Sequence, residues 1–135
     1  MGANYAGLFQ IRGEGAVLDL PTVNDVQTVG KIGQDCRIVN VRAFVSEAIM
    51  CATTQAVVDI GTAADADAFV DGWEPEDNQA IDTIITCPDA KIDAAVAKRR
   101  ITADDVVIAK VVVAGAEAGA ETGQLVVILE LVAEI

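Results

Sequence analysis

The stretch CRIVNVRAFVSEAIM, residues 36–50, decides the fold because apolar side chains recur at every second position along it. Successive side chains of a β-strand point to opposite faces, so the stretch separates into two sets. One face carries Val39, Val41, Ala43 and Val45. The other face carries Ile38, Asn40, Arg42 and Phe44. The stretch therefore predicts a long β-strand.

Four more segments carry strand signals, and they are residues 54–61, 80–88, 105–115 and 123–135. Aromatic residues make up only 4% of the chain, so the apolar mass is mainly aliphatic, and valine and isoleucine favour strands. Helix signals are limited to a single turn within residues 62–72 and to an alanine-rich stretch at residues 89–100. The pattern predicts an all-β fold, an antiparallel β-sandwich or jelly-roll-like single domain.

Residues 1–34 differ from the rest because glycine is frequent there and only residues 16–20 resemble a strand. We predict an extended N-terminal arm with one or two short strands, followed by a β-sandwich domain over residues 35–135. Three apolar residues of this arm are candidate anchors onto a neighbouring molecule, namely Tyr5, Leu8 and Phe9. The alternative is a frayed terminus, which is common at the ends of domains.

The last predicted strand contains QLVVILELV, residues 124–132, and both of its faces are largely apolar. One face carries Leu125, Val127, Leu129 and Leu131. The other face carries Val126, Ile128, Glu130 and Val132. A sheet with one wet face alternates apolar and polar residues, so we expect this second face to be covered. Either a helix or loop of the same chain or another subunit covers it. We favour a homo-oligomer, with Val126, Ile128 and Val132 in the interface.

An acidic segment, VVDIGTAADADAFVDGW at residues 57–73, has two interpretations. In the first it is a structural turn, in which Asp65 caps a helical turn and Phe69 packs inward. This interpretation gives structural roles to Asp59, Gly61, Asp65, Asp67, Phe69, Gly72 and Trp73. In the second, Asp65, Asp67 and Asp71 bind calcium, although the segment lacks the glycine and terminal glutamate of an EF-hand loop. We favour the structural turn, with no metal bound.

Composition argues against several classes of function. The net charge is −12 and histidine is absent, which disfavours nucleic-acid binding and removes the commonest general base. The only basic run, residues 98–100, is expected to be a solvated loop. Ser46 is the only serine and has no histidine to activate it, so a Ser-His-Asp triad is excluded. We expect no enzyme activity and no cofactor.

The cysteines and the lengths of the apolar runs indicate the cellular environment of the protein. Cys36, Cys51 and Cys87 match no zinc-binding spacing, and we expect buried, reduced thiols in a protein made in the cytoplasm. No apolar run approaches the roughly 20 residues that span a bilayer, so no membrane contact is expected.

Three motifs follow one another in a recognisable order. A long strand, RIVNVRAFVSEAI at residues 37–49, precedes VVDIGTAADADAFVDG at residues 57–72, in which D-I-G-T leads into an A-D-x-D-A-F turn. A later segment, residues 101–132, begins with I-T-A and leads into a final hairpin. This order resembles a group of small β-rich structural proteins of tailed bacteriophages, and it is most like their capsid decoration, or cement, proteins. The resemblance covers residues 37–132.

The resemblance implies a virion protein that is synthesised in the host cytoplasm and binds the outside of the head. Such proteins stabilise contacts between subunits of the major capsid protein, are commonly trimers and carry no catalytic residues. The acidic segment would then be architecture. The alternatives are another virion component, such as a head fibre base, a tail part or a receptor-binding module, and a carbohydrate- or calcium-binding β-sandwich module.

Overall fold

A computed structural model describes residues 5–134 of the chain, and it describes side-chain environments from residue 17 onward. The elements, in chain order, are β1 (Tyr5–Asp19), β2 (Val26–Lys31), β3 (Cys36–Met50), β4 (Val57–Gly61), β5 (Val70–Trp73), β6 (Ile84–Thr86), α1 (Asp89–Asp93), β7 (Arg100–Ile101), β8 (Val106–Val113) and β9 (Thr122–Glu134). The predicted all-β class is confirmed, and β3 has the bounds that the sequence predicts.

The strands form two antiparallel sheets that pack as a sandwich. Sheet A has the order β1-β9-β3-β6, with β7 also pairing with β3, and sheet B has the order β2-β8-β4-β5. The long strands β3 and β9 pair at the centre of sheet A, where Phe44 lies opposite Val126. Because β8 lies between β2 and β4, it has the corresponding central position in sheet B.

The core lies between the two sheets and is largely aliphatic. Its fully buried residues include Val41, Ala43, Val45, Leu125, Leu129 and Leu131 of sheet A and Val58, Ile60, Val107 and Val111 of sheet B. Burial of one such Val, Leu or Ile side chain contributes about 1.5–3 kcal/mol relative to exposure. The alternation along β3 and β9 therefore supplies the inner layer of sheet A.

The predicted face is wrong at the start of β3. Ile38 was expected to share a face with Arg42 and Phe44, but it is 1% exposed and belongs to the core. A β-bulge between Ile38 and Asn40 inserts an extra residue opposite β9, and this moves the preceding side chains to the other face. The guanidinium of Arg99 donates to the carbonyl oxygen of Val39 at 3.0 Å, inside the bulge.

The N-terminal segment is more regular than the predicted arm. β1 spans 15 residues and pairs with β9 from Tyr5 opposite Glu134 to Asp19 opposite Gln124. A register shift between Arg12 and Val17 accommodates the glycine-rich part of the strand. β1 is an edge strand of sheet A. β2 pairs with β8 and is an edge strand of sheet B.

Helical structure is limited in the part of the chain that the structure describes. α1 spans five residues, which is shorter than the alanine-rich stretch 89–100 that the sequence singles out. The last residues of that stretch are not helical, because Lys98 and Arg99 have φ values of 48° and 74°, outside the right-handed helical region. No helix among residues 5–134 is both long and apolar enough to cross a membrane.

Candidate functional site

The acidic segment forms a β-hairpin, which we call the acidic hairpin (residues 57–73). β4 ends at Gly61, a loop covers residues 62–69, and β5 returns antiparallel to β4. Val58 lies opposite Trp73 in this pairing. The amide of Phe69 donates to the carbonyl oxygen of Ile60 across 2.9 Å, and this bond closes the loop.

The helical turn predicted for the acidic hairpin is wrong, because residues 62–69 form turns and bends. The amide of Thr62 donates to the carbonyl oxygen of Asp65 at 2.8 Å, and the amide of Asp65 donates back to Thr62 at 3.2 Å. These reciprocal bonds tighten the loop, and a single turn follows, in which the amide of Ala68 donates to the carbonyl oxygen of Asp65 at 3.2 Å. The alanines that favour a helix are overridden by the strand pairing on either side of the loop.

Two glycines of the acidic hairpin are required by its geometry. A Cβ atom at Gly61 would lie 2.6 Å from the backbone carbonyl oxygen of Ala66, which is closer than any side chain allows. Gly72 has a φ of +77°, a conformation that residues with a side chain rarely adopt. Both glycines therefore permit the chain to turn back on itself.

Two aromatic residues attach the acidic hairpin to the core. Phe69 is 1% exposed and Trp73 is 2% exposed, and both belong to the cluster of buried residues between the sheets. Phe69 is among the largest fully buried side chains of residues 17–134. The loop is thus fixed to the body of the protein by side-chain burial as well as by backbone pairing.

Three carboxylates converge on the outer surface of the acidic hairpin. Asp59, Asp67 and Asp71 each bring an oxygen within 4.8 Å of the others. Burial raises the pKa of Asp59, while the hydrogen bond from the Gly72 amide, at 2.8 Å, works in the opposite direction. A hydrogen bond between the carboxyl groups of Asp65 and Asp67 raises the pKa of Asp65.

This cluster differs from the predicted calcium ligands, because Asp59 replaces Asp65 in it. Calcium takes roughly six to eight oxygen ligands, and three aspartates supply at most six, with every carboxylate bidentate. One Asp59 oxygen already accepts the Gly72 amide, and Lys110 lies opposite Asp59 on β8. The Asp59 carboxylate thus serves to hold the hairpin exit in place.

A second candidate site is the outer face of sheet A, the face turned away from sheet B. Residues directly opposite one another on neighbouring strands share a face, so four apolar residues form one continuous row across the sheet. We call them the apolar row, and they are Val17, Val126, Phe44 and Ile84. Ile84 is 56% exposed, and the other three are partly exposed.

The next rows of this face are polar and more buried. Glu130 is 6% exposed, and its carboxylate accepts from Arg42 Nη1 at 3.1 Å and from Asn40 Nδ2 at 3.1 Å. A buried charge is costly unless it is paired, so these contacts are what permit Glu130 on a sheet face. Ile128 lies on β9 between Glu130 and Val126 of the apolar row, and it is 4% exposed.

The predicted interface residues therefore differ in their surroundings. Val126 and Val132 are partly exposed on the outer face of sheet A, whereas Ile128 is covered within the single chain. The side chains of Tyr5, Leu8 and Phe9 lie outside the described part of the structure. Their backbone belongs to β1, where these residues lie opposite Glu134, Val132 and Leu131 of β9.

Arg99 is a structural residue that the sequence analysis missed. The basic run was expected to be solvated, but the Arg99 side chain is only 12% exposed and pairs with Asp89 and Asp93. Its hydrogen bond with Arg99 lowers the pKa of Asp93. Arg100 pairs with Glu134 at 3.1 Å. The sequence signal for the ion pairs of Arg99 is limited to Asp89 and Asp93, which precede it by ten and six positions.

The three cysteines are free and buried. Burial raises the pKa of Cys36 to about 11 and that of Cys87 to about 12, and it also raises the pKa of Cys51. A thiol reacts as its thiolate, so these cysteines are inert core residues at neutral pH.

Comparison with known proteins gives a likeness of fold. No protein-family model matches the chain, and no curated protein matches it. A solved chain described as "Cyanophage Pam1 capsid asymmetric unit" has a similar structure, with a TM-score of 0.51 at 11% sequence identity. The similarity covers 100% of this chain and 92% of that chain. It extends over both sheets and the N-terminal strands.

Proposed function

We propose that this protein is a structural component of a bacteriophage virion, and that it is a capsid decoration (cement) protein. In this role it binds the outside of the head, stabilises contacts between major capsid protein subunits and performs no catalysis. The observation that carries the proposal is the fold likeness to a chain of a cyanophage capsid, because it extends over the whole of this chain.

The physical character of the chain supports a space-filling structural role. Its core is a layer of mainly aliphatic side chains, and its cysteines are buried. The net charge of −12 keeps such a protein soluble and repels packaged DNA, which suits a position on the outer surface of a head.

The outer face of sheet A is the proposed contact surface. The apolar row crosses the whole sheet and is partly exposed, and apolar surface of this kind commonly marks an interface. A shell presents many copies of the same lattice position, so contacts that are individually weak become effective when several protomers bind together. We therefore include self-association, with a trimer favoured, in the proposal.

The direct test is binding to expanded heads that lack this protein, followed by sedimentation of the heads. The proposal predicts saturable binding and greater resistance of the decorated heads to heat. Val126→Lys is expected to weaken binding, whereas Val96→Lys is the matched control, because Val96 is 70% exposed and lies outside the apolar row. Binding to tails or host cells instead of heads would assign the protein to another part of the virion.

A second candidate function is a calcium-binding β-sandwich module, and the convergence of Asp59, Asp67 and Asp71 is the observation that favours it. A rise in melting temperature with calcium, absent in Asp67→Asn, would select this candidate. The cement proposal expects no such rise.

A further inference from the structure

A small cleft opens at the side of the sandwich where β5 ends sheet B and β6 ends sheet A. We call it the edge cleft, and its volume is about 220 Å³. Its walls come from both sheets and from the segment between them. The main lining residues are Trp73, Glu74, Glu76, Ile85, Thr86 and Pro88.

The edge cleft is built on a well-anchored frame. The segment between β5 and β6 is tied to β3, because the amide of Ile49 donates to the carbonyl oxygen of Gln79 at 2.8 Å. The amide of Cys51 donates to the Asp77 carboxylate at 2.7 Å, and the amide of Val45 donates to the carbonyl oxygen of Thr83 at 2.8 Å. The cleft is therefore held open by the fold and is largely preformed.

The chain segment that supplies most of the edge cleft is rich in acidic residues. Residues 59–93 contain a single basic residue, Lys91, and ten acidic residues, which are Asp59, Asp65, Asp67, Asp71, Glu74, Glu76, Asp77, Asp82, Asp89 and Asp93. Glu74 and Glu76 are exposed and line the cleft itself. A cationic ligand therefore matches the two carboxylates of the lining.

We propose that the edge cleft binds an arginine side chain presented by a neighbouring protein on the phage head. Pockets for metabolites usually measure about 300–1,000 Å³, so this cleft suits a single side chain better. The apolar surfaces of Ile85 and Pro88 match the aliphatic stem of arginine. Glu74 and Glu76 match its planar guanidinium, which pairs with carboxylates more specifically than a lysine ammonium does.

This inference rests on the proposed function for the identity of the partner, but the cleft can be tested alone. Trp73 is the only tryptophan of the chain and lines the cleft, so its fluorescence reports on occupancy. The probe is a blocked Gly-Arg-Gly peptide added to the full-length protein. The matched probe replaces arginine with citrulline, which has nearly the same shape but no charge.

The expected result is a saturable change in Trp73 emission with the arginine peptide and none with the citrulline peptide. Glu74→Gln and Glu76→Gln are each expected to weaken binding by about tenfold, the effect of losing one charge-assisted hydrogen bond. Asp104→Asn removes one exposed carboxylate outside the cleft and is expected to bind as the unchanged protein does. An equal response to citrulline, or unchanged binding by both glutamine variants, overturns the inference.

Head binding separates this inference from the proposed function. If the protein binds heads but shows no arginine response, the inference about the cleft fails and the cement proposal stands. If arginine binds in the cleft but the protein does not bind heads, the cement proposal fails, and the capsid is excluded as the source of the arginine.

Discussion

Both faces of β9 are largely apolar in sequence, but they have different surroundings in the fold. Leu125, Leu129 and Leu131 point towards sheet B and are fully buried. Val126 and Val132 point away from it and remain partly exposed. Burial of the inner face stabilises the single chain. Part of the apolar surface of the outer face is left exposed to solvent by the single chain. We interpret this difference as the separation of folding from assembly.

The outer face itself is divided into two zones. Towards one end, Glu130 is buried with Arg42 and Asn40 as partners, and Ile128 is covered beside them. Towards the other end the apolar row is partly exposed and is completed by Ile84 on β6. We therefore centre the proposed interface on the apolar row, while the predicted residue Val132 is partly exposed outside it.

The largest expected effect comes from the core. Phe69→Ala should lower the free energy of unfolding by about 3–5 kcal/mol, because Phe69 is fully buried between the sheets. Urea unfolding followed by circular dichroism measures this change. A loss below about 1 kcal/mol would mean that Phe69 does not anchor the acidic hairpin to the core.

The second prediction compares neighbouring faces of β9 directly. Leu129→Ala should destabilise the chain by about 2–5 kcal/mol, since it leaves a cavity in the core. Val126→Lys should change the unfolding free energy by less than about 1 kcal/mol, because a lysine on the outer face can extend into water. The same variant should lose self-association in sizing-column experiments. Unfolding of Val126→Lys would contradict the division between the faces.

Ile128→Lys sharpens this comparison, because Ile128 is 4% exposed although it lies on the outer face. We expect the free energy of unfolding to fall by about 2 kcal/mol, since the lysine ammonium group would be partly desolvated without a dedicated ion-pair partner. The Val126→Lys protein is the matched control in the same unfolding experiment. Equal stability of the two variants would show that the outer face is one uniform zone.

A smaller effect is expected for Arg42→Leu. The substitution removes one partner of the buried Glu130 carboxylate, but Arg42 is 40% exposed and water can replace part of its contribution. We expect a loss of about 1–2 kcal/mol at neutral pH. Arg37→Leu, on the same strand and exposed, is the control. A larger loss for the control would mean that the ion pair with Arg42 does not stabilise the buried Glu130 carboxylate.

The smallest effect concerns Asp59→Asn, which keeps an oxygen to accept the Gly72 amide. The pKa of Asp59 is raised in the folded protein, so its ionised form is penalised at pH values above that pKa. Asparagine should therefore raise stability at neutral pH by less than about 1 kcal/mol. In acid, below the ordinary aspartate pKa, the gain should vanish because the carboxyl group is protonated in both states. Destabilisation by Asp59→Asn at neutral pH would contradict this assignment.

Much of the fold follows from local pattern, because regular alternation defines β3 and β9 and aliphatic runs define β4 and β8. The sequence gives weaker signals where tertiary contacts override local preference. Glycines weaken the strand signal of β1, which is nevertheless a long strand because it pairs with β9 along most of its length. The bulge in β3 is contacted by Arg99, which lies 60 residues from Val39 in the sequence.

The sites were predictable to different extents. Gly61, Phe69 and Gly72 carry local signals, since glycine and a buried aromatic residue mark the turn and the anchor of the acidic hairpin. The apolar row could not be found from β9 alone, because it includes Phe44 and Ile84 from other strands. The edge cleft likewise combines residues from the ends of both sheets. Such sites depend on strand order, which alternation within one strand does not specify.

The most direct test of the account is the native mass of the protein and of Val126→Lys, measured by light scattering on a sizing column. We expect the unchanged protein to be a trimer and the variant to be a folded monomer, since we propose that the apolar row stabilises the assembly and not the single chain. A monomeric unchanged protein, or a variant that remains trimeric, would contradict the claim that the outer face of sheet A is an assembly surface.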